Sequence, residues 1–206
     1  MTAQAVPTNV QASVIHPVWV RVTHWVNAVA VLVMVGSGWE IYNASPLPLF
    51  RFELPKSITL GGWLAGALAW HFAAMWVLVV NGIVYVTLGI ATGRFHAKLF
   101  PIRPREVVRD FIAALRRKLS YDMSAYNAVQ KLLYVGVICA GVVIVLSGLS
   151  IWKPVQFQEI TALFGGYDAA RYVHFFAMAA IVGFLVVHVT LALMVPKSLR
   201  AMILGK

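Results

Sequence analysis

Four long apolar runs, separated by polar segments, dominate the chain at about 18–42, 60–92, 127–152 and 168–195. A helix needs about 20 apolar residues to cross a bilayer, and each run supplies at least that many. The pattern predicts an all-α membrane protein, a bundle of four transmembrane helices forming one membrane domain behind an N-terminal tail at 1–16. The second run exceeds a bilayer's thickness, so its helix tilts or projects. The first is too long for a signal-peptide core, and almost no positive charge precedes it.

Composition sharpens this picture. Of 206 residues, 61% are hydrophobic and 12% charged, whereas soluble domains carry about 25% charge. That leaves too little polar surface for a globule in water, and excludes a soluble enzyme or a disordered chain. The net charge of +10 is unevenly placed. Arg94, Lys98, Arg103, Arg105, Arg109, Arg116, Arg117 and Lys118 lie between the second and third runs, and Arg21, Lys131, Lys197, Arg200 and Lys206 fall on the same side. Arg51, Lys56, Lys153 and Arg171 fall on the other. Positive residues stay inside, so both termini and the basic loop at 94–125 are expected to be cytoplasmic. The loop lacks the interleaved aromatics of a nucleic-acid surface, and no nucleic-acid partner is expected.

Within that loop, Val107, Val108, Phe111, Ile112 and Leu115 follow Pro104 at helical spacing. They predict an amphipathic helix over 105–119 lying on the inner surface, against lipid. The outer loops, 43–59 and 153–167, are longer than tight turns need and offer apolar side chains to a partner or the membrane interface. Cys139 is the sole cysteine, which excludes an internal disulfide and a Cys-x-x-Cys-His haem attachment.

The two halves of the chain resemble each other. Ser37-Gly38 in the first span recurs as Ser147-Gly148 in the third, and His71-Phe72-Ala73-Ala74-Met75 in the second recurs as His174-Phe175-Phe176-Ala177-Met178 in the fourth. Spans one and three run the same way, so the halves form parallel repeats about an axis along the membrane normal. His71 and His174 become equivalent. The symmetry equivalent of His188 is Tyr85, and that of His24 is Tyr134.

Ionisable side chains inside a membrane are costly and usually mark function. Four histidines fall within the spans: His24, His71, His174 and His188. Any one of them alone reads as a hydrogen-bonded link between helices. Their spacing points further. Fourteen residues is nearly four turns, so His174 and His188 share a helix face about 21 Å apart, which suits one haem near each surface. His24 and His188 lie at similar depths of about 9 and 10 Å from the inner ends of their spans, and His71 and His174 lie in the outer halves. Opposed imidazoles make a natural axial pair for haem iron. Zinc or copper would draw closer ligands, often with Cys or carboxylate, and none is nearby. His16 and His96 fall outside the spans and read as interfacial residues.

Arg21-Val22-Thr23-His24-Trp25, the histidine of span two and the fourteen-residue pair of span four resemble the bacterial di-haem cytochrome b561 superfamily. That group includes the cytochrome b subunits of formate dehydrogenases, nickel–iron hydrogenases and thiosulfate reductases. The resemblance spans 16–205 and implies two haem b groups, with His24, His71, His174 and His188 as iron ligands. Tyr126-Asn127-Ala128-Val129-Gln130-Lys131 resembles the segment that lies beside quinone in the formate dehydrogenase subunits. It implies that Asn127 and Gln130 line a quinone site close to His188. The same two residues suit a helix-capping box, and both readings stay open.

The sequence thus points to an electron-transfer subunit of the bacterial inner membrane, passing electrons between a periplasmic redox partner and the quinone pool. The resemblance leaves a molybdoenzyme, an iron–sulfur subunit or a hydrogenase as that partner. The ending Val195-Pro196-Lys197-Ser198-Leu199-Arg200 resembles members paired with molybdopterin oxidoreductases of the sulfite-oxidase type. The rivals are a stand-alone cytochrome oxidising a small periplasmic reductant, and a haem-free anchor or transporter with histidine proton relays. A homodimer is left open.

Overall fold

A computed structural model describes residues 15–116 and 126–205. Among these residues every regular element is a helix. The four long ones are α1 (Val18–Ala44), α2 (Leu64–Ala91), α5 (Ala128–Trp152) and α7 (Tyr167–Met194), each long and apolar enough to cross a membrane. Four short helices join or follow them: α3 (Arg94–Leu99), α4 (Pro104–Leu115), α6 (Gln158–Leu163) and α8 (Pro196–Leu204).

Local chemistry sets the boundaries. Pro17 precedes α1, where a proline's missing N–H costs nothing. At the other end of the second span, Gly93 takes φ +67°, which lets the chain leave α2 and enter α3. Gly61 has φ +115°, and a Cβ there would collide with the Ala67 backbone. Only glycine allows the 45–63 loop to pack so closely against the start of α2. The amphipathic helix is found as α4; residues 117–119 of the expected 105–119 segment lie outside the described residues. The loop expected at 153–167 contains a turn of helix, α6.

Helix α1 packs most extensively on α2, and α5 on α7. Small residues make the tight pairs possible, as expected where packing rather than hydrophobicity drives association. Ala67 and Ala74 are buried in α2, and Ala170 and Ala177 hold the same places around the matching histidine in α7. Ser37 and Ser147 are fully enclosed. In addition, Asn81 Nδ2 donates to the Thr23 carbonyl (2.8 Å) and to Asn27 Oδ1 (2.7 Å), locking α2 to α1. The repeat read from the sequence is therefore a repeat of packing, α1 with α2 and α5 with α7.

One end of the bundle collects the basic residues. Arg21 Nη1 donates to the Ile203 carbonyl (2.7 Å), Arg94 Nη2 to that of Ile15 (3.3 Å) and Lys131 Nζ to that of Pro101 (3.4 Å). At the opposite end, Arg171 Nη2 donates to the Ser45 carbonyl (2.7 Å), and the Tyr42 hydroxyl donates to the Phe50 carbonyl.

Candidate functional site

The bundle brings the four intramembrane histidines together in two pairs. His71 of α2 faces His174 of α7, with ring centres 6.5 Å apart. Towards the basic end, His24 of α1 faces His188 of α7 at 5.9 Å. His174 and His188 lie on one uninterrupted helix, so the pairs are about 21 Å apart along it.

The surroundings of the first pair fix its chemistry. Ser37 Oγ lies 3.0 Å from His71 Nδ1, and Ser147 Oγ lies 3.1 Å from His174 Nδ1. Each serine hydroxyl donates to its own helix, Ser37 to the Val33 carbonyl (2.6 Å) and Ser147 to the Val143 carbonyl (2.7 Å). Each Oγ is thus left to accept from an Nδ1–H. The Ile144 carbonyl, 3.0 Å from His174 Nδ1, can only accept, and requires the same tautomer. With the proton held on Nδ1, the Nε2 lone pair is the free ligand. Gly38 and Gly148 lie directly against the rings: a Cβ at Gly38 would lie 3.4 Å from His71 Cε1, in ordinary contact, and one at Gly148 would lie 3.2 Å from His174 Cε1. The repeated Ser-Gly dipeptide is therefore an imidazole seat.

The second pair is set among aromatic rings. Trp25 meets His24 edge-on at 5.4 Å, and Phe184 stacks on His188 at 5.4 Å and 14°.

Haem iron fits these dimensions. A metal–imidazole bond is about 2.0 Å and the ring centre lies about 1.2 Å beyond the nitrogen, so two axial imidazoles on one iron have centres about 6.4 Å apart. The observed 6.5 and 5.9 Å bracket that value. Among the described residues no group of three or more His, Cys, Asp or Glu could hold a bare ion. Two opposed imidazoles are an incomplete set for such an ion, but complete the coordination of an iron already held by a macrocycle.

Asn127 and Gln130 are found in a capping box. Asn127 Oδ1 accepts from the Gln130 N–H (2.9 Å), and Gln130 Oε1 accepts from the Asn127 N–H (3.1 Å). The cap uses both amide oxygens and leaves both NH2 groups as donors. An aromatic series connects this end of α5 to the second pair: Tyr126 to Tyr134 at 4.9 Å, Tyr134 to Phe184 at 6.4 Å, then His188. Sequence reasoning missed Asp110. Its Oδ2 accepts from the Ala128 N–H (2.9 Å), joining the surface helix α4 to the start of α5. That N–H holds the Asp110 carboxyl below the usual carboxylate range, with Arg109 assisting against the opposing effect of burial. His16, outside the spans, sits with Nδ1 3.3 Å from Arg94 Nη2.

Four apolar spans and paired intramembrane imidazoles fit a multi-pass membrane cytochrome. Residues 15–205 match the family model described as prokaryotic cytochrome b561, and the chain belongs to that family. It is also 55% identical over 192 residues, 93% of its own length and 96% of the relative's, to a putative protein-methionine-sulfoxide reductase subunit, YedZ1, of Azospira oryzae. The chain is thus a membrane b-type cytochrome acting in electron transfer.

Proposed function

We propose that this protein is the di-haem membrane subunit of a periplasmic protein-methionine-sulfoxide reductase, carrying electrons between the quinone pool and that partner in the bacterial inner membrane. The observation that carries the reading is the pair of opposed imidazole sets, spaced for iron, with Nδ1 tied back at the His71–His174 pair. The relative's name supports the partner, and the sequence ending supports a molybdopterin enzyme. The one-sided clustering of basic residues supports an orientation with that end in the cytoplasm.

When bound, haem supplies reversible one-electron chemistry at iron. The chain's own residues do the rest. His71 and His174 hold one group towards the periplasm, and His24 and His188 hold the other towards the cytoplasm. Ser37 and Ser147 keep protons on Nδ1 and fix both rings. Quinone exchange belongs to the cytoplasmic side, beside Asn127, Gln130 and His188, where two amide NH2 groups near the membrane surface suit a carbonyl acceptor. A quinol there loses two electrons and two protons to become quinone.

Haem content of single variants tests this. His71→Ala and His174→Ala should each lose one haem, and His24→Ala and His188→Ala should each lose the other. A variant that keeps two haems per chain would overturn the assignment of its histidine.

A further inference from the structure

The two histidine pairs are held in different ways. In the first, each ring Nδ1 has an oxygen acceptor: Ser37 Oγ at 3.0 Å for His71, and Ser147 Oγ at 3.1 Å with the Ile144 carbonyl at 3.0 Å for His174. In the second, neither ring forms a hydrogen bond among the described residues. His24 and His188 meet only rings: Trp25 edge-on, Phe184 stacked, and each other. The Ser-Gly dipeptide occurs once in each half of the chain, so the repeat supplies seats for one pair only.

This difference has a redox consequence. An acceptor on Nδ1–H makes Nε2 a more basic ligand, and a more basic ligand favours the more positive, ferric state of an iron it holds. Hydrogen bonding behind the axial ligand is one of the levers that set a haem's potential. Charge acts in the same sense. Arg51, Lys56, Lys153 and Arg171 are matched in number by Glu40, Glu53, Glu159 and Asp168 at the same end, so the formal net charge of +10 belongs to the His24–His188 end. Positive charge near an iron disfavours its ferric state.

We propose that Ser37 and Ser147 set a redox difference between the two sites, holding the haem of the His71–His174 pair at a lower potential than the haem of the His24–His188 pair. The serines are positioning residues that act on iron through the imidazoles, and an electron shared between the two sites rests on the His24–His188 side. This rests on the di-haem reading above.

The test is a potentiometric titration of haem absorption, with haem counted per chain, on protein in nanodiscs. Wild type should titrate as two one-electron components. His188→Ala should leave the lower component and His174→Ala the higher; the reverse would overturn the ordering. Ser37→Ala and Ser147→Ala should each raise the lower component and leave the higher in place. The expected change is about two- to tenfold in the ferric-to-ferrous equilibrium, the worth of one hydrogen bond, or about 20–60 mV. Ser150 is the control: it is also fully buried, but its hydroxyl donates to the Leu146 carbonyl of its own helix (3.1 Å) and touches no histidine nitrogen. Ser150→Ala should move neither component. A lower component that stays in place in both Ser37→Ala and Ser147→Ala, or that moves equally in Ser150→Ala, would overturn the role of the serines. The histidine variants test the ordering and the serine variants its cause, so the loss of a haem in one set leaves the other decisive. Fewer than two haems in wild type would instead refute the di-haem reading.

Discussion

The glycines behind the His71–His174 pair allow a graded prediction. A Cβ at Gly38 would sit 3.4 and 3.8 Å from His71 Cε1 and Nδ1, which is ordinary contact. At Gly148 the distances to the same atoms of His174 are 3.2 and 3.5 Å, so the ring must yield by a few tenths of an ångström. Gly38→Ala should therefore leave haem content unchanged, while Gly148→Ala weakens one haem slightly. Valine at either site extends about 1.5 Å further and enters the imidazole's space; such overpacking costs about 1–3 kcal/mol. That corresponds to about a five- to 150-fold loss in affinity for one haem. Both alanine and valine favour helix over glycine, so the loss cannot be assigned to a weakened helix. Haem per chain, with circular dichroism as the control for folding, provides the assay. Valine at Gly148 should take the count from two towards one and remove one component of the redox titration. Two haems with an unchanged titration in Gly148→Val would refute the imidazole-seat argument.

Other expectations concern the basic end. Burial first, then Arg94, lowers the His16 pKa from 6.5 to about 4. Because the folded value is the lower one, the unfolded chain gains its proton first as pH falls. The stability His16 contributes is complete above about pH 6.5 and is lost as pH drops towards 4. His16→Asn should flatten the melting temperature across that window, and parallel profiles would contradict it. Asp110→Ala removes the acceptor of the Ala128 N–H and should cost about 1–3 kcal/mol, read as earlier denaturation of the haem absorption and faster proteolysis between α4 and α5. An unchanged proteolysis pattern would show that this bond does not hold α4 in place.

Much of this was legible in the sequence, for particular reasons. The long helices announce themselves because apolar run length is a direct physical requirement of the bilayer. The structure places their ends within about four residues of the expected ones. The histidine pairs were legible because a fourteen-residue spacing puts His174 and His188 on one face of one helix. Short helices were harder: α3, α6 and α8 have six to nine residues and no long apolar run to mark them. Ser37-Gly38 and Ser147-Gly148 were visible as a repeat, but not as imidazole seats, because that needs the face which α1 turns to α2. Asp110 was one charge within a basic segment; its partner, the Ala128 N–H, lies 18 residues away in the sequence. Asn127 and Gln130 allowed two readings, and the cap they form is the local one, leaving their amide donors for the quinone proposal.

The central claim is that two imidazole pairs each hold a haem, and a reduced-minus-oxidised spectrum of the purified protein, with haem quantified per chain, tests it most directly. Two b-type haems per chain, both reducible by menadiol, is the predicted result. No haem in folded, haem-supplied protein would contradict the account, and a single haem would remove one of the two pairs from it.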